Sequence, residues 1–322
     1  MTRRLQVDAA GIAEAAAVLG KGGLVAFPTE TVYGLGALAT DADAIARVFR
    51  AKGRPAHNPL ILHVAETDLA RRFAVFDQRA ERLAAAFWPG PLTLVLPLKT
   101  DGGIARAATA GLDTVAVRVP RHPTAKQLLE AVGGPVAAPS ANRSGQVSPT
   151  TADHVLADLD GRIDLVLDAG PVAVGIESSV LDLTRARARI LRPGSITRAA
   201  IEASIGPLDA DEPGADEPGA GEPLRSPGLL ARHYAPQTPL RLDATSVDKD
   251  EALLAFGPAP VRGAGWTLNL SPTGDLEEAA HNLYAMLRAL DEKGARRIAV
   301  MRLPRTGLGE ALADRLKRAA TA

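Results

Sequence analysis

Cysteine is absent from all 322 residues, which excludes disulfides and thiolate metal sites outright and fits a reducing compartment. Aromatic residues make up only 3% of the chain, too few for a platform that stacks unpaired bases. Net charge is also missing, because 37 Lys and Arg balance 37 Asp and Glu. No global positive field therefore draws in nucleic acid, and only a local basic site remains open. The first twenty residues lack the unbroken apolar stretch of a secretion signal, since Arg3 and Arg4 are followed by acids and alanines. The apolar stretch 15–27 is interrupted by Lys21 and glycines and is too short to span a bilayer. The chain reads as cytoplasmic, with no membrane partner.

What is present is alanine in abundance and a regular alternation of element types. Small side chains let helices pack closely on a sheet. Apolar, β-branched runs predict strands at 24–27, 60–64, 92–96, 115–119, 136–138, 165–168, 179–183 and 189–192. Between several of them lie helical patterns: Ile45, Val48 and Phe49 at i, i+3 and i+4, then 79–87, 124–132 and 151–159. Prolines 89, 91, 120, 139 and 149 punctuate these elements. The mixture indicates an α/β domain whose strand order cannot be read from it.

From Leu208 to Leu224 the composition changes, and Ala-Asp-Glu-Pro-Gly occurs twice in succession. A stretch with repeated acids and prolines and no apolar period reads as a linker insert. Beyond it, strand-like runs at 252–256, 267–270 and 298–303 alternate with helical patterns at 276–290 and 309–320, a second small α/β unit. The expected organisation is 1–206 as the larger domain, 207–238 as linker and connector, and 239–322 as the small domain.

Gly34, Gly36 and Ala39 spell G-x-G-x-x-A after a strand, but a dinucleotide turn needs an acid about twenty residues on to hold a ribose. Residues 44–65 contain no Asp or Glu at all. There is no Walker loop either. That acid-free stretch is the positive signal, because it holds Arg47, Arg50, Lys52, Arg54, His57 and His63. Gly53 and Pro55 end the helix begun near Asp43, placing Lys52 and Arg54 at its exit. Cations there could simply complement the negative helix end, worth about 0.3–1 kcal/mol. A polyphosphate pocket fits the concentration of cations better, at about 1.5–3 kcal/mol per charge-assisted hydrogen bond. A second candidate is Pro139-Ser140-Ala141-Asn142-Arg143-Ser144-Gly145. It follows a strand, where open α/β sheets bind ligands, although Ser140 and Asn142 could equally serve a local turn.

These loops and their flanks resemble the YrdC-type threonylcarbamoyl-AMP synthase family in its long, two-domain form. The resemblance rests on Pro28-Thr29-Glu30-Thr31-Val32-Tyr33-Gly34-Leu35-Gly36, Lys52-Gly53-Arg54-Pro55 with Asn58-Pro59-Leu60, and Pro139-Ser140-Ala141-Asn142. It continues through Glu177-Ser178-Ser179-Val180, Arg192-Pro193-Gly194, Ser226-Pro227-Gly228 and Arg232-His233-Tyr234-Ala235-Pro236. It covers nearly the whole chain except the acidic insert. Leu229-Leu230-Ala231 stand where the family usually has Met-Lys-Tyr.

The resemblance implies a twisted mixed sheet with flanking helices, a YrdC-like domain, plus a small C-terminal α/β Rossmann-like domain. It implies a catalytic tetrad of Lys52, Arg54, Ser140 and Asn142. ATP would be touched by Arg54, Asn58, Thr114, Ser140, Ser148 and Arg192, with Tyr234 closing over it. Threonine would be held by Thr31, His63, Arg118 and Ser178. Mg²⁺ would arrive on the ATP phosphates, and no protein metal site is expected. The implied reaction joins L-threonine, bicarbonate and the AMP part of ATP. The product would pass to proteins that modify an adenosine of tRNA, and tight direct tRNA binding by this chain is not required. The main rival is an RNA-binding or ribosome-assembly module using the same basic cluster, against which neutral charge and scarce aromatics count. Carbamoyl transfer in hydrogenase maturation belongs to larger proteins with cysteine-rich zinc segments, which are absent here.

Overall fold

The computed structural model describes residues 1–209 and 232–321. Ten strands form one mixed sheet: β1 (Arg3–Gln6), β2 (Val25–Pro28), β3 (Tyr33–Leu38), β4 (Ile61–His63), β5 (Leu92–Pro97), β6 (Thr114–Arg118), β7 (Val136–Ala137), β8 (Leu165–Asp168), β9 (Ser179–Asp182) and β10 (Arg189–Arg192). Their spatial order is β1-β8-β2-β3-β7-β4-β6-β5-β9-β10. Helices α1 (Ala9–Gly20), α2 (Ala42–Lys52), α3 (Thr67–Arg71), α4 (Gln78–Phe87), α5 (Pro123–Val132), α6 (Ala152–Leu159) and α7 (Arg198–Ile205) accompany it. The central strands are buried along their length, as continuous apolar runs require when both faces are covered.

The small domain holds β11 (Leu240–Arg241), β12 (Ala252–Ala255), β13 (Trp266–Asn269), α8 (Leu276–Asp291), β14 (Ile298–Val300) and α9 (Leu308–Ala319). Its four strands are all parallel, in the order β11-β14-β12-β13. This is the expected α/β class in both units. Three strands and three helices escape the sequence pattern: β1, β3, β11, α1, α3 and α7. Most instructive is β3, because glycine weakens strand propensity and hides it. A Cβ at Gly36 would lie 2.9 Å from both the Phe27 ring and the Val136 side chain. The glycines thus permit close packing inside a strand, and no dinucleotide turn exists there.

Helix α2 shows how the site is aimed. Asp41 caps its N-terminus by accepting from the amides of Asp43 and Ala44, a contribution of about 1 kcal/mol. Gly53 ends it at φ 60°, the left-handed conformation glycine adopts without strain. The chain therefore turns sharply and carries Arg54 inward. Of the six basic residues in the acid-free stretch, Lys52, Arg54 and His63 are buried. Arg47 instead pairs with Asp164 at 2.8 Å.

The small domain docks directly against the larger one. Val32, Val147 and Ile176 share a core with Tyr234, Leu254, Leu283, Leu287 and Leu312. Arg288 on α8 pairs with Asp158 at 2.7 Å, and Asp291 accepts from the amides of Gln237 and Thr238. Gly175 is needed for this approach, since a Cβ there would stand 2.4 Å from the Ala280 carbonyl oxygen. Leu208, which composition groups with the insert, is buried in the first core. The acidic repeats at 210–223, the Ser226-Pro227-Gly228 segment and the Leu229-Leu230-Ala231 departure lie outside the described residues. Among the described residues no helix is long and apolar enough to cross a membrane.

Candidate active site

Eight segments of the chain converge on one narrow cavity of about 40 Å³. Its lining includes Thr29, Thr31, Arg54, His63, Arg118, Ser140, Glu177, Ser178, Arg192, His233 and Tyr234. The β2–β3 turn supplies one corner. Thr29 Oγ1 donates to the Val32 carbonyl at 2.7 Å and lies 2.7 Å from Thr31 Oγ1. Arg118, at the end of β6, donates through Nη1 to Thr31 Oγ1 at 3.0 Å, through Nη2 to Glu30 Oε1 at 2.7 Å and through Nε to the Gly90 carbonyl at 3.2 Å. Three of its five N–H groups are thereby used, and two remain for a ligand. His63 sits beside it in register on β4. Its Nδ1 is 3.2 Å from the Ile61 carbonyl. That oxygen can only accept, so Nδ1 carries the proton and Nε2 is an acceptor.

Arg54 lines the same cavity. Its Nη2 donates to Asn58 Oδ1 at 2.5 Å and to the Pro59 carbonyl at 2.8 Å, and its Nε to the Asn58 carbonyl at 3.2 Å. Burial, with Arg192 nearby, lowers its pKa to about 9, so it remains cationic at neutral pH. Arg192 points Nε at the Ser178 carbonyl and Nη2 at Ser178 Oγ, both at 3.1 Å. Neither arginine is ion-paired with a carboxylate among the described residues. Such groups suit phosphate.

The connector closes the cavity. Tyr234 is buried with φ 61°, and the Ala235 amide donates to the Gly145 carbonyl at 2.9 Å. The Tyr234 hydroxyl, His233 Nδ1, Asn58 Nδ2 and Asn142 Oδ1 are buried without a hydrogen-bond partner among the described residues. Native structures contain few such groups, and two of these, on His233 and Tyr234, lie in the cavity lining, as befits a site prepared for a polar ligand.

Profiles of known families match the chain in two parts. The Sua5–YciO–YrdC family, described by the words "Telomere recombination", matches residues 17–194. The threonylcarbamoyl-AMP synthase C-terminal domain matches 196–321. A Bacillus subtilis (strain 168) protein named threonylcarbamoyl-AMP synthase is 42% identical, the match covering 99% of this chain and 96% of the other. A protein of the same name from Pyrococcus abyssi is 41% identical over 95% of this chain and 92% of the other. The chain belongs to the threonylcarbamoyl-AMP synthase family. The crystal structure of P. abyssi Sua5 complexed with L-threonine superposes at a TM-score of 0.89, with 39% identity over 99% of this chain and 97% of that one.

Within that family fold, the residues singled out by the sequence fall into two groups. Thr31, Arg54, His63, Arg118, Ser140, Ser178, Arg192 and Tyr234 line the cavity together. Lys52, Asn58, Asn142 and Ser148 stand behind its wall. Lys52 Nζ donates to the carbonyls of Ser140, at 2.5 Å, and Asn142, so the ammonium clamps the Ser140 loop. Asn142 Nδ2 holds the same loop through the carbonyls of Arg143 and Gln146, both at 2.8 Å. Ser148 donates to Glu177 Oε1 at 2.5 Å. Thr114 occupies the other end of β6 from Arg118 and is not on the wall. Glu177 and His233 stood in quoted motifs without a role assigned to them. Arg315 and Tyr284, which reach Glu177 from the small domain, follow no motif.

The buried histidines give the protein a pH signature. Burial, then Arg118, lowers His63 to about 3 despite Glu30. Burial likewise takes His233 to about 3, with Glu177 opposing and Arg54, Lys52 and Arg192 reinforcing. Below the ordinary histidine value near 6.5 the unfolded chain binds these protons and the folded one does not, so stability falls as pH falls towards 3. From pH 7 to pH 5 the pair is expected to cost about 3–4 kcal/mol, read as a lower urea midpoint. An unchanged midpoint would mean that both rings take up protons in the fold as readily as in the unfolded chain.

Proposed function

We propose that the protein is an L-threonylcarbamoyladenylate synthase, making threonylcarbamoyl-AMP and pyrophosphate from L-threonine, bicarbonate and ATP. One observation carries the reading. Two guanidinium groups not ion-paired with a carboxylate among the described residues, Arg54 and Arg192, share a cavity with the Thr31–His63–Arg118 corner. The first pair suits a triphosphate and the second an amino acid. The relative solved with L-threonine supports the second half.

In this reading the threonine carboxylate lies against the two remaining N–H groups of Arg118, and Ser178 borders the same corner. His63 Nε2 accepts from the threonine hydroxyl. The free amine attacks bicarbonate, forming a C–N bond and losing water, which gives an N-carboxylate. Its oxygen then attacks the α-phosphorus of ATP, and the P–O bond to pyrophosphate breaks. No covalent enzyme intermediate is needed. The protein positions the reactants and offers charge where charge accumulates. Arg54, Arg192 and the Ser140 hydroxyl serve the phosphates, and Lys52 and Asn142 hold the Ser140 loop in place. Tyr234 covers the nucleotide. Asn58 and Ser148 act through Arg54 and Glu177, and Thr114 is left to an outer contact. Mg²⁺ enters as part of the ATP substrate. The product is a reactive mixed anhydride suited to an amine acceptor, and we assign its use to proteins that modify a tRNA adenosine.

The test is product mass spectrometry after incubation with ATP, Mg²⁺, threonine and bicarbonate, omitting each in turn. The adenylate is expected only with all four present. Pyrophosphate release that ignores threonine would overturn the reading. No observation favours the RNA-binding alternative.

A further inference from the structure

Glu177 is a carboxylate in a cavity otherwise suited to anions, and its neighbours give it a purpose. Ser148 donates to its Oε1. Tyr284 donates to Oε2 at 2.8 Å and Arg315 Nε at 2.9 Å. Both of the latter belong to the small domain, on α8 and α9. Arg315 has a side chain only 1% exposed, and it touches three parts of the site at once. Its Nη2 donates to the carbonyl of Pro193, the residue after Arg192, at 2.9 Å. Its guanidinium lies 5.1 Å from the centre of the Tyr234 ring, a cation–π distance. Its third group, Nη1, pairs with Asp314 at 2.7 Å.

Arg192 and Glu177 line the same cavity, and Ser178, which Arg192 holds, directly follows Glu177 in the chain. Among the described residues the two form no ion pair, and Arg192 donates through Nε and Nη2 to Ser178 instead. An unpaired buried carboxylate next to a guanidinium would draw that guanidinium to itself. We propose that Arg315 is a positioning residue, which occupies Glu177 so that Arg192 stays directed at the nucleotide phosphates. Arg315 acts from the small domain and holds the Tyr234 ring by the same guanidinium. Docking of that domain and readiness of the phosphate site are thus one event. The inference rests on the nucleotide reading above and adds what the small domain does for it.

The experiment measures ATP and threonine affinities by calorimetry on the full chain and on variants whose melting shows them folded. Arg315→Gln frees Glu177 to capture Arg192 and is expected to weaken ATP about tenfold, the order of one charge-assisted contact. Threonine affinity is expected to fall less than ATP affinity, because Arg315 touches none of Thr31, His63 or Arg118 and reaches Ser178 only through Arg192. The deciding measurement is Glu177→Gln in the Arg315→Gln background, since removing the competing charge restores ATP affinity to within about threefold. A purely structural salt bridge predicts the reverse, with both ligands weakened alike and no rescue, and that result overturns the proposal. Should Arg315→Gln fail to fold, Tyr284→Phe keeps the ring and removes one bond to Glu177. It is then expected to weaken ATP about threefold, reversed by the same Glu177→Gln change, and absence of both effects overturns the proposal equally. Wild-type protein that binds no ATP would sink the nucleotide reading and this inference together. Wild type that binds ATP, with variants identical to it, would sink only the inference.

Discussion

Arg54→Ala is expected to lower threonine-dependent pyrophosphate release by about 10²–10³-fold, the scale of losing one preorganised donor to a charged transition state. The geometry explains why the loss should fall on turnover. Nη2 and Nε are fixed by the 58–59 turn, so the guanidinium that lines the cavity is already held in place. Burial lowers the group only to about 9, leaving it charged where water no longer screens it. Arg54→Lys should recover little, because a point charge cannot keep both the turn and the ligand. Truncation also strands Asn58 Oδ1, an expected stability loss of about 1–3 kcal/mol, so rates must be taken well below the melting transition. A kcat within about threefold of wild type in folded Arg54→Ala would remove it from the phosphate role.

The contrast between Arg54 and Lys52 shows what the sequence could and could not say. Both stood in the same acid-free run, and the motif treated them alike. Gly53 between them is the reason they differ. Its left-handed turn sends Arg54 into the cavity and leaves Lys52 on the buried face of α2, where two carbonyls of the Ser140 loop take its ammonium. Spacing placed both cations at one helix end, but the direction of each side chain depends on a single φ angle.

The candidate strands of the large sheet were legible because their apolar runs are continuous. Strand β3 was hidden because its glycines serve the Phe27 and Val136 side chains across the sheet, a purpose that exists only after folding. Ala-rich α1 offers little contrast between its faces and so little period. The Arg315 and Tyr284 contacts join residues more than a hundred positions from Glu177. Nothing local in α8 or α9 separates an arginine or tyrosine bound for the interface from one bound for solvent.

Arg118→Leu is expected to damage two things at once, and a second substitution separates them. The Arg118–Glu30 pair is buried on both sides, at 4% and 5% side-chain exposure. Burial raises the Glu30 carboxyl, but Arg118, helped by backbone amides including that of Arg121, reverses this and leaves it below the ordinary value. Without Arg118 the reversal disappears, and an unpaired buried carboxylate either stays charged at high cost or takes up a proton. Breaking such a pair costs about 3–5 kcal/mol, and the deficit should shrink as pH falls, because protonation relieves it. Threonine loses its carboxylate partner in the same variant, so its KM is expected to rise about a hundredfold, equivalent to about 2.7 kcal/mol. Adding Glu30→Gln removes the stranded charge and should restore most of the stability, while threonine KM stays high. If the double variant regained threonine affinity along with its melting temperature, Arg118 would be a scaffold for the Thr31 turn and nothing more. If KM remained raised in a stably folded double variant, the two free N–H groups of Arg118 would be the threonine contact, and Glu30 the group that aims them.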